Sequence, residues 1–252
     1  MLERLAARHE VVTLLTRADA PRGRGRRAAP PPAKVVAEKL QIPVLQPARL
    51  GSDVCIHSHH LDAVVVAAYG LLIPESLLTE PLWLNVHPSL LPRWRGAAPV
   101  ERAIMAGDPE TGVTIHRTVK ELDAGPIAAQ QAFPIPSDDD AGAVFARAAE
   151  VAADLLDEVL PNPTFVAQPE NGVTYAEKLT AADRELDLSR PASEVHNRVR
   201  ALSPHIGARA TIDGRRLIVW RTRVVEGRLE VLEVQPEGRR RMTYADFLRG
   251  LR

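Results

Sequence analysis

Cysteine is almost absent: the 252 residues contain one, Cys55. A single thiol excludes an internal disulfide and a cysteine-based zinc cluster, and it fits a reducing compartment, so the cytoplasm is the expected location. Also lacking is any run of ~20 apolar residues, the length a helix needs to cross a bilayer. The N-terminus, Met1 to Glu10, is charged and has no signal-peptide hydrophobic region. No membrane partner is expected. Net charge is missing too, since 32 Lys and Arg balance 32 Asp and Glu. A neutral molecule does not attract nucleic acid as a whole, so any such binding has to come from local patches. No internal repeat is visible.

What is present is an ordinary globular composition, 45% hydrophobic and 25% charged, with length for a medium domain and a small one. A helix at the N-terminus feeds a strand over Val11–Leu15. Ala18 to Pro32, rich in Pro and Gly, reads as a loop. Asp62 to Tyr69 is a continuous apolar run, the pattern of a strand buried on both faces of a parallel sheet. Trp83–Val86 and Val113–His116 read as further strands, and Ala141 to Leu160 as a long helix. Strands alternating with helices point to an α/β sheet with helices on both faces. After Pro161 the texture changes. Pro161, Pro163, Pro169 and Gly172 form a linker, and Ser193 to Leu202 reads as a helix with Ser193 as its cap. Ala208–Ile212 and Leu217–Trp220 flank an Asp213-Gly214 hairpin turn, Leu229–Val234 adds a strand, and Tyr244 to Leu251 closes with a helix.

The chemically informative stretch is Asn85-Val86-His87-Pro88-Ser89-Leu90-Leu91-Pro92-Arg93-Trp94-Arg95-Gly96. Asn85 and His87 stand two apart at the end of a strand, so their side chains share a face. The carboxyl ends of strands are where open α/β sheets place ligands. Downstream, Leu122-Asp123-Ala124-Gly125-Pro126 marks a turn from which Asp123 can reach the same crevice. An amide, an imidazole and a carboxylate suit acyl transfer to an amine: the carbonyl oxygen needs fixed donors, the amine must lose a proton, and the leaving nitrogen must gain one. Spacing alone leaves structural readings open, with Asp123 as a turn residue and Pro88 to Pro99 as a rigid surface loop. Arg22, Arg24, Arg26 and Arg27, flanked by Arg17 and Lys34, form a basic cluster that is either a phosphate-binding patch or a solvated loop. Arg239 to Arg241 form a second basic run.

At these residues the sequence resembles the folate-dependent formyltransferases, and among them those acting on methionyl-tRNA. The matching segments are TRADAPRGRGR (16–26), VVVAAYG (64–70), NVHPSLLPRWRGAAPVERAIMAGDPETGVTI (85–115), LDAGPI (122–127), GVTYAEKL (172–179), RALSPHIGARATIDG (200–214) and VQPEGRRRMTYADFLRG (234–250). They follow the family order across nearly the whole chain. The resemblance implies a Rossmann-like, mostly parallel α/β formyltransferase domain over 1–160, a linker over 161–182 and a C-terminal OB-like barrel over 183–252. It implies Asn85, His87 and Asp123 as catalytic residues, with Asn85 and His87 stabilising the carbonyl oxygen, and Ser89, Leu90, Leu91 and Pro92 as part of the folate loop. It further implies 10-formyltetrahydrofolate as co-substrate, no metal, and initiator methionyl-tRNA as partner of a monomer. The tRNA would be gripped through Arg22, Arg24, Arg26 and Arg27. Lys178 is either a further tRNA contact or a plain surface lysine.

The sequence also departs from the family. It begins inside what resembles the first helix, so the strand the family places before it is absent from this sequence, and the barrel region is short, a reduced form. Cys55, His57, His59 and His60 match nothing in the family; such a cluster either binds metal or is an adventitious loop. The alternative functions are another 10-formyltetrahydrofolate-dependent transferase, acting on glycinamide ribonucleotide or a nucleotide sugar, and a non-catalytic RNA- or folate-binding relative.

Overall fold

The computed structural model describes residues 1–22, 27–51, 61–71, 73–79 and 81–251, without the side chains of Arg22 and Arg27. In chain order the elements are α1 (Leu2–Arg8), β1 (Leu14–Leu15), β2 (Ala20–Arg22), β3 (Arg27–Ala29), α2 (Pro32–Lys39), β4 (Val44–Leu45), β5 (Ala63–Ala67), β6 (Leu82–His87), β7 (Arg95–Gly96), α3 (Pro99–Ala106), β8 (Glu110–Arg117), β9 (Ile127–Pro134), α4 (Ala141–Val159), β10 (Tyr175–Ala176), α5 (Ala192–Leu202), β11 (Ala208–Ile212), β12 (Arg215–Val225), β13 (Arg228–Pro236), β14 (Met242–Thr243) and α6 (Tyr244–Arg249). No helix among the described residues is long and apolar enough to cross a membrane. The chain groups into two compact units. The first holds Met1–His87, Thr114–Gln130 and Ala149–Gln168; the second holds Pro88–Val113, Gln131–Ala148 and Pro169–Arg252. Residues 88–113 and 131–148 therefore group with the C-terminal residues, although they fall within the expected N-terminal domain.

The sheet that carries the site has the order β5-β6-β8-β9. β5 and β6 run parallel, and β6 and β8 run antiparallel. The sheet is mixed where a mostly parallel one was expected. β8 follows a loop and one short helix and returns against β6, a common arrangement at one side of an α/β sheet. β5, expected to be buried on both faces, is half-buried along its length. Leu50, Leu77 and Trp83 form a small core in this unit, with Val64 and Val66 of β5 packed against it. β1 and β4 pair separately, in parallel.

Part of the stretch read as a loop is an antiparallel hairpin, with Ala20 opposite Ala29 and Arg22 opposite Arg27. Its base is tied by Lys34, whose Nζ donates to Asp19 at 2.9 and 3.0 Å and to Gln46 Oε1 at 2.9 Å. Lys34 thus has an internal partner for its charge. Arg24 and Arg26 lie outside the described residues, as do Cys55, His57, His59 and His60.

In the second unit β11, β12, β13 and β14 form an antiparallel meander in that order. The connections from β11 to β12 and from β12 to β13 are two-residue turns. Asp213 and Gly214 have φ of 50° and 72°, and Glu226 and Gly227 have φ of 49° and 74°. Two successive left-handed residues match the right-handed twist of the strands they join. Val199 and Leu202 of α5 pack on Leu217, Val219 and Val234 of the sheet, with Phe247 of α6 completing the core. The strand order is linear, and among the described residues no pairing closes β14 onto β11, so the β-rich part is a four-stranded sheet rather than a closed barrel. Ser193 is not the cap of α5: the residue before the helix is Pro191, and Ser193 lies inside the first turn.

An ion pair joins α3 to the segment before α5. Arg102 donates to Asp183 at 2.7 and 3.2 Å, and the backbone N–H and hydroxyl of Thr180 donate to the same carboxylate at 2.7 and 2.9 Å. The Arg102 guanidinium, with the Thr180 donors behind it, holds the Asp183 carboxyl down to about 2. A carboxyl held below its ordinary value stabilises the fold above that ordinary value and stops doing so as pH falls through about 2. Asp183→Asn is expected to cost on the order of 1–2 kcal/mol at neutral pH, after allowance for solvent screening. The gap from wild type should close between about pH 4 and pH 2. Urea unfolding across that range checks it; a gap independent of pH would show that the carboxylate is not its source.

Candidate active site

The site begins with a break in the apolar pattern of two paired strands. Leu84 and Ile115 are fully buried on one face of the sheet. The register sets Asn85 opposite His116 and His87 opposite Thr114 on the other face. Four polar side chains therefore project from two adjacent strands, and burying them is tolerable only if they satisfy one another. His87, His116 and Thr114 are 4%, 2% and 0% exposed.

Asp123 joins them from the loop after β8. Its backbone is left-handed, with φ of 47°, a conformation aspartate tolerates better than most residues. The loop is fixed from two sides. At Gly125 an added Cβ would stand 1.8 Å from the Arg117 carbonyl oxygen, so no larger residue fits. Gln168 donates from one amide nitrogen to the carbonyls of Asp123, at 2.7 Å, and Gly125, at 2.8 Å. The result is a compact cluster. Asn85 Nδ2 donates to Asp123 Oδ1 at 3.1 Å, and Asp123 Oδ2 lies 3.6 Å from His87 Nδ1. The imidazoles of His87 and His116 meet edge to face, centroids 6.2 Å apart.

The structure thus brings Asn85, His87 and Asp123 together within one unit. Sequence reading missed His116 and Gln168. The strand containing His116 was legible, but which residue it would face depends on the antiparallel register, which leaves no local signal. Gln168 lies 45 positions from Asp123 in a stretch read only as linker.

The segment after His87 belongs to the second unit. Ser89 is fully buried, and its hydroxyl donates to the Arg93 carbonyl at 2.7 Å. Leu90 packs tightly on Gly112, where an added Cβ would come within 2.4 Å of its methyl carbon. Leu91 is buried, and the Leu91-Pro92 bond is cis. Arg93 and Trp94 both bond Asp108: Arg93 through two hydrogen bonds of 2.9 and 2.7 Å, and Trp94 through its indole N–H at 2.8 Å. Trp94 is half-buried, with the Arg93 guanidinium 4.4 Å from its ring centroid. β7 pairs with β10, fixing the far end of the loop. Lys178, two residues beyond β10, is exposed. Arg22 and Arg27 are backbone register partners in β2 and β3.

A mixed α/β unit that gathers an amide, two imidazoles and a carboxylate from two paired strands and a loop carries the donors and the base that a class of enzymes, those for group transfer, requires. Comparison with known proteins narrows that class. Residues 2–160 match the family model described as formyl transferase, and residues 178–228 match that for the formyl transferase C-terminal domain. The methionyl-tRNA formyltransferase of Paracoccus denitrificans is 41% identical over 276 residues, covering 99% of this chain and 93% of that protein. That of Methylobacterium sp. (strain 4-46) is 42% identical, covering 97% and 89%. Among solved structures, methionyl-tRNA formyltransferase from Clostridium thermocellum shares the fold with a TM-score of 0.66, at 16% identity over 81% of this chain and 92% of that one. The chain belongs to the formyl transferase family.

Gly125→Ala tests how tightly the loop is set. Overpacking against a backbone carbonyl that cannot yield is expected to cost about 1–3 kcal/mol. Thermal unfolding checks this, and an unchanged melting temperature would mean that the loop has room to move.

Proposed function

We propose that this protein transfers the formyl group of 10-formyltetrahydrofolate to the free amino group of methionyl-initiator tRNA. Likeness to methionyl-tRNA formyltransferases over nearly the full chain supplies the activity. The convergence of Asn85, His87 and Asp123 is the observation that supplies its chemistry.

Acyl transfer to nitrogen builds negative charge on the carbonyl oxygen and positive charge on the attacking amine. His87 provides the N–H for the oxygen. Asn85 supplies a second donor when one of its amide hydrogens leaves its present partner. Asp123, held by the loop beside both, steadies a protonated His87 and accepts the amine proton, directly or through water; as the bond from the formyl carbon to the folate nitrogen breaks, that nitrogen takes up a proton and tetrahydrofolate leaves. Ser89, Leu90, Leu91 and Pro92 line the folate site through their backbone, and their rigidity suits that task. The arginines Arg22, Arg24, Arg26 and Arg27 contact tRNA phosphates, and Lys178 is a further candidate contact. In this reading residues 1–160 carry the chemistry, 161–182 link, and 183–252 help to hold the tRNA through an OB-like fold of which the four-stranded sheet is the core.

The direct test is incubation with 10-formyltetrahydrofolate and charged initiator tRNA, followed by detection of formylmethionine. Binding of both without product would favour a non-catalytic relative. Asn85→Ala and His87→Ala are each expected to lower turnover by about 100- to 1000-fold, the usual cost of one such donor; near-normal turnover in either removes it from the mechanism. Deleting residues 22–27 is expected to raise the KM for tRNA while leaving that for folate within about two-fold, the pattern of a contact made to one substrate alone. Equal loss of both would count against a phosphate-binding role.

A further inference from the structure

The Asn85 amide nitrogen has two neighbours: Asp123 Oδ1 and, also at 3.1 Å, His116 Nε2. A primary amide nitrogen has two hydrogens to donate and none to accept. Asp123 Oδ1 takes one. The state of His116 decides the other. Its Nδ1 lies 3.0 Å from the Arg117 carbonyl oxygen, which only accepts, so Nδ1 carries a proton. A cationic ring would set a second N–H against the amide nitrogen, donor against donor, while the Asp123 Oδ1 that could draw that N–H lies 3.6 Å away, outside hydrogen-bond distance. The amide cannot turn its oxygen toward the ring without placing it against the Asp123 carboxylate. The neutral ring, protonated on Nδ1 and accepting at Nε2, satisfies every atom.

We propose that His116 is a positioning residue for the reaction, accepting the second hydrogen of the Asn85 amide and so fixing which edge of that amide faces the carboxylate. This rests on the formyl-transfer reading above. The bond to a neutral ring is weaker than the charge-assisted bond to Asp123, so it is the one exchanged when the amide turns to serve a carbonyl oxygen. His116 is 2% exposed and acts on substrate only through Asn85.

The test compares His116→Leu, which removes the acceptor, with His116→Gln, which restores one. Misplacement of a reacting group by about 1 Å costs roughly 100-fold, so His116→Leu is expected to lower kcat by about 10- to 100-fold. KM for folate and for tRNA should each stay within about two-fold, and His116→Gln should recover at least several-fold. A loss equal in both variants, or one falling in KM, overturns the proposal, because simple packing would give either. A wild-type protein without formyl transfer sinks the earlier reading instead. The tautomer is read independently of activity and of how the variants fold, by nitrogen NMR of the wild-type protein with labelled histidine rings. A buried ring protonated on Nδ1 alone, absent from the His116→Gln spectrum, is expected. A ring protonated on Nε2 overturns the assignment.

Discussion

The hydrogen bond between Asn85 and Asp123 ties a strand to a loop, and much of the first unit is arranged to keep it. Neither partner would hold the other if its own backbone were free. Asn85 is fixed by the pairing of β6 with β5 and β8. Asp123 is fixed by its left-handed turn, by the contact of Gly125 with the Arg117 carbonyl and by the two bonds from Gln168. A nearly buried carboxylate is costly unless donors surround it, and the amide and imidazoles are set around this one. Such a network stabilises when it is complete and destabilises when one member is lost, which is why a glycine and a glutamine remote in sequence matter to it.

The second unit shows the same economy at Asp108. One carboxylate accepts two hydrogen bonds from Arg93 and one from the indole N–H of Trp94, while the Ser89 hydroxyl donates to the Arg93 carbonyl. The loop thereby becomes a framework built from its own most polar residues. Arginine and tryptophan in a proline-rich loop invite a reading as ligand contacts; here they hold the loop, leaving Ser89 to Pro92 with little freedom to rearrange.

How much of this was legible in the sequence follows the range of the interactions. Asn85 and His87 could be placed side by side because strand geometry relates residues two apart. The Asp213-Gly214 hairpin was readable because its chemistry is contained in two residues. Asp123 was visible as a turn residue able to reach the same crevice, and the turn is indeed what aims it. The antiparallel return of β8 was not readable, and with it went His116, since a cross-strand neighbour is fixed by the path of the intervening chain. The hairpin inside the Pro- and Gly-rich stretch was missed because its composition resembles that of a loop. The boundary between compact units was hidden for a similar reason: residues 88–113 continue directly from β6 yet group elsewhere.

The clamp of Lys34 on Asp19 and Gln46 has an electrostatic consequence. A lysine already neutralised by its own protein releases no counterion when nucleic acid arrives, so it adds nothing to the dependence of binding on ionic strength. Counting cations along the sequence from Arg17 to Lys34 thus overstates the field offered to a phosphate. Within that stretch the attraction in the proposed complex would come from guanidinium groups, with the lysine setting where the hairpin starts.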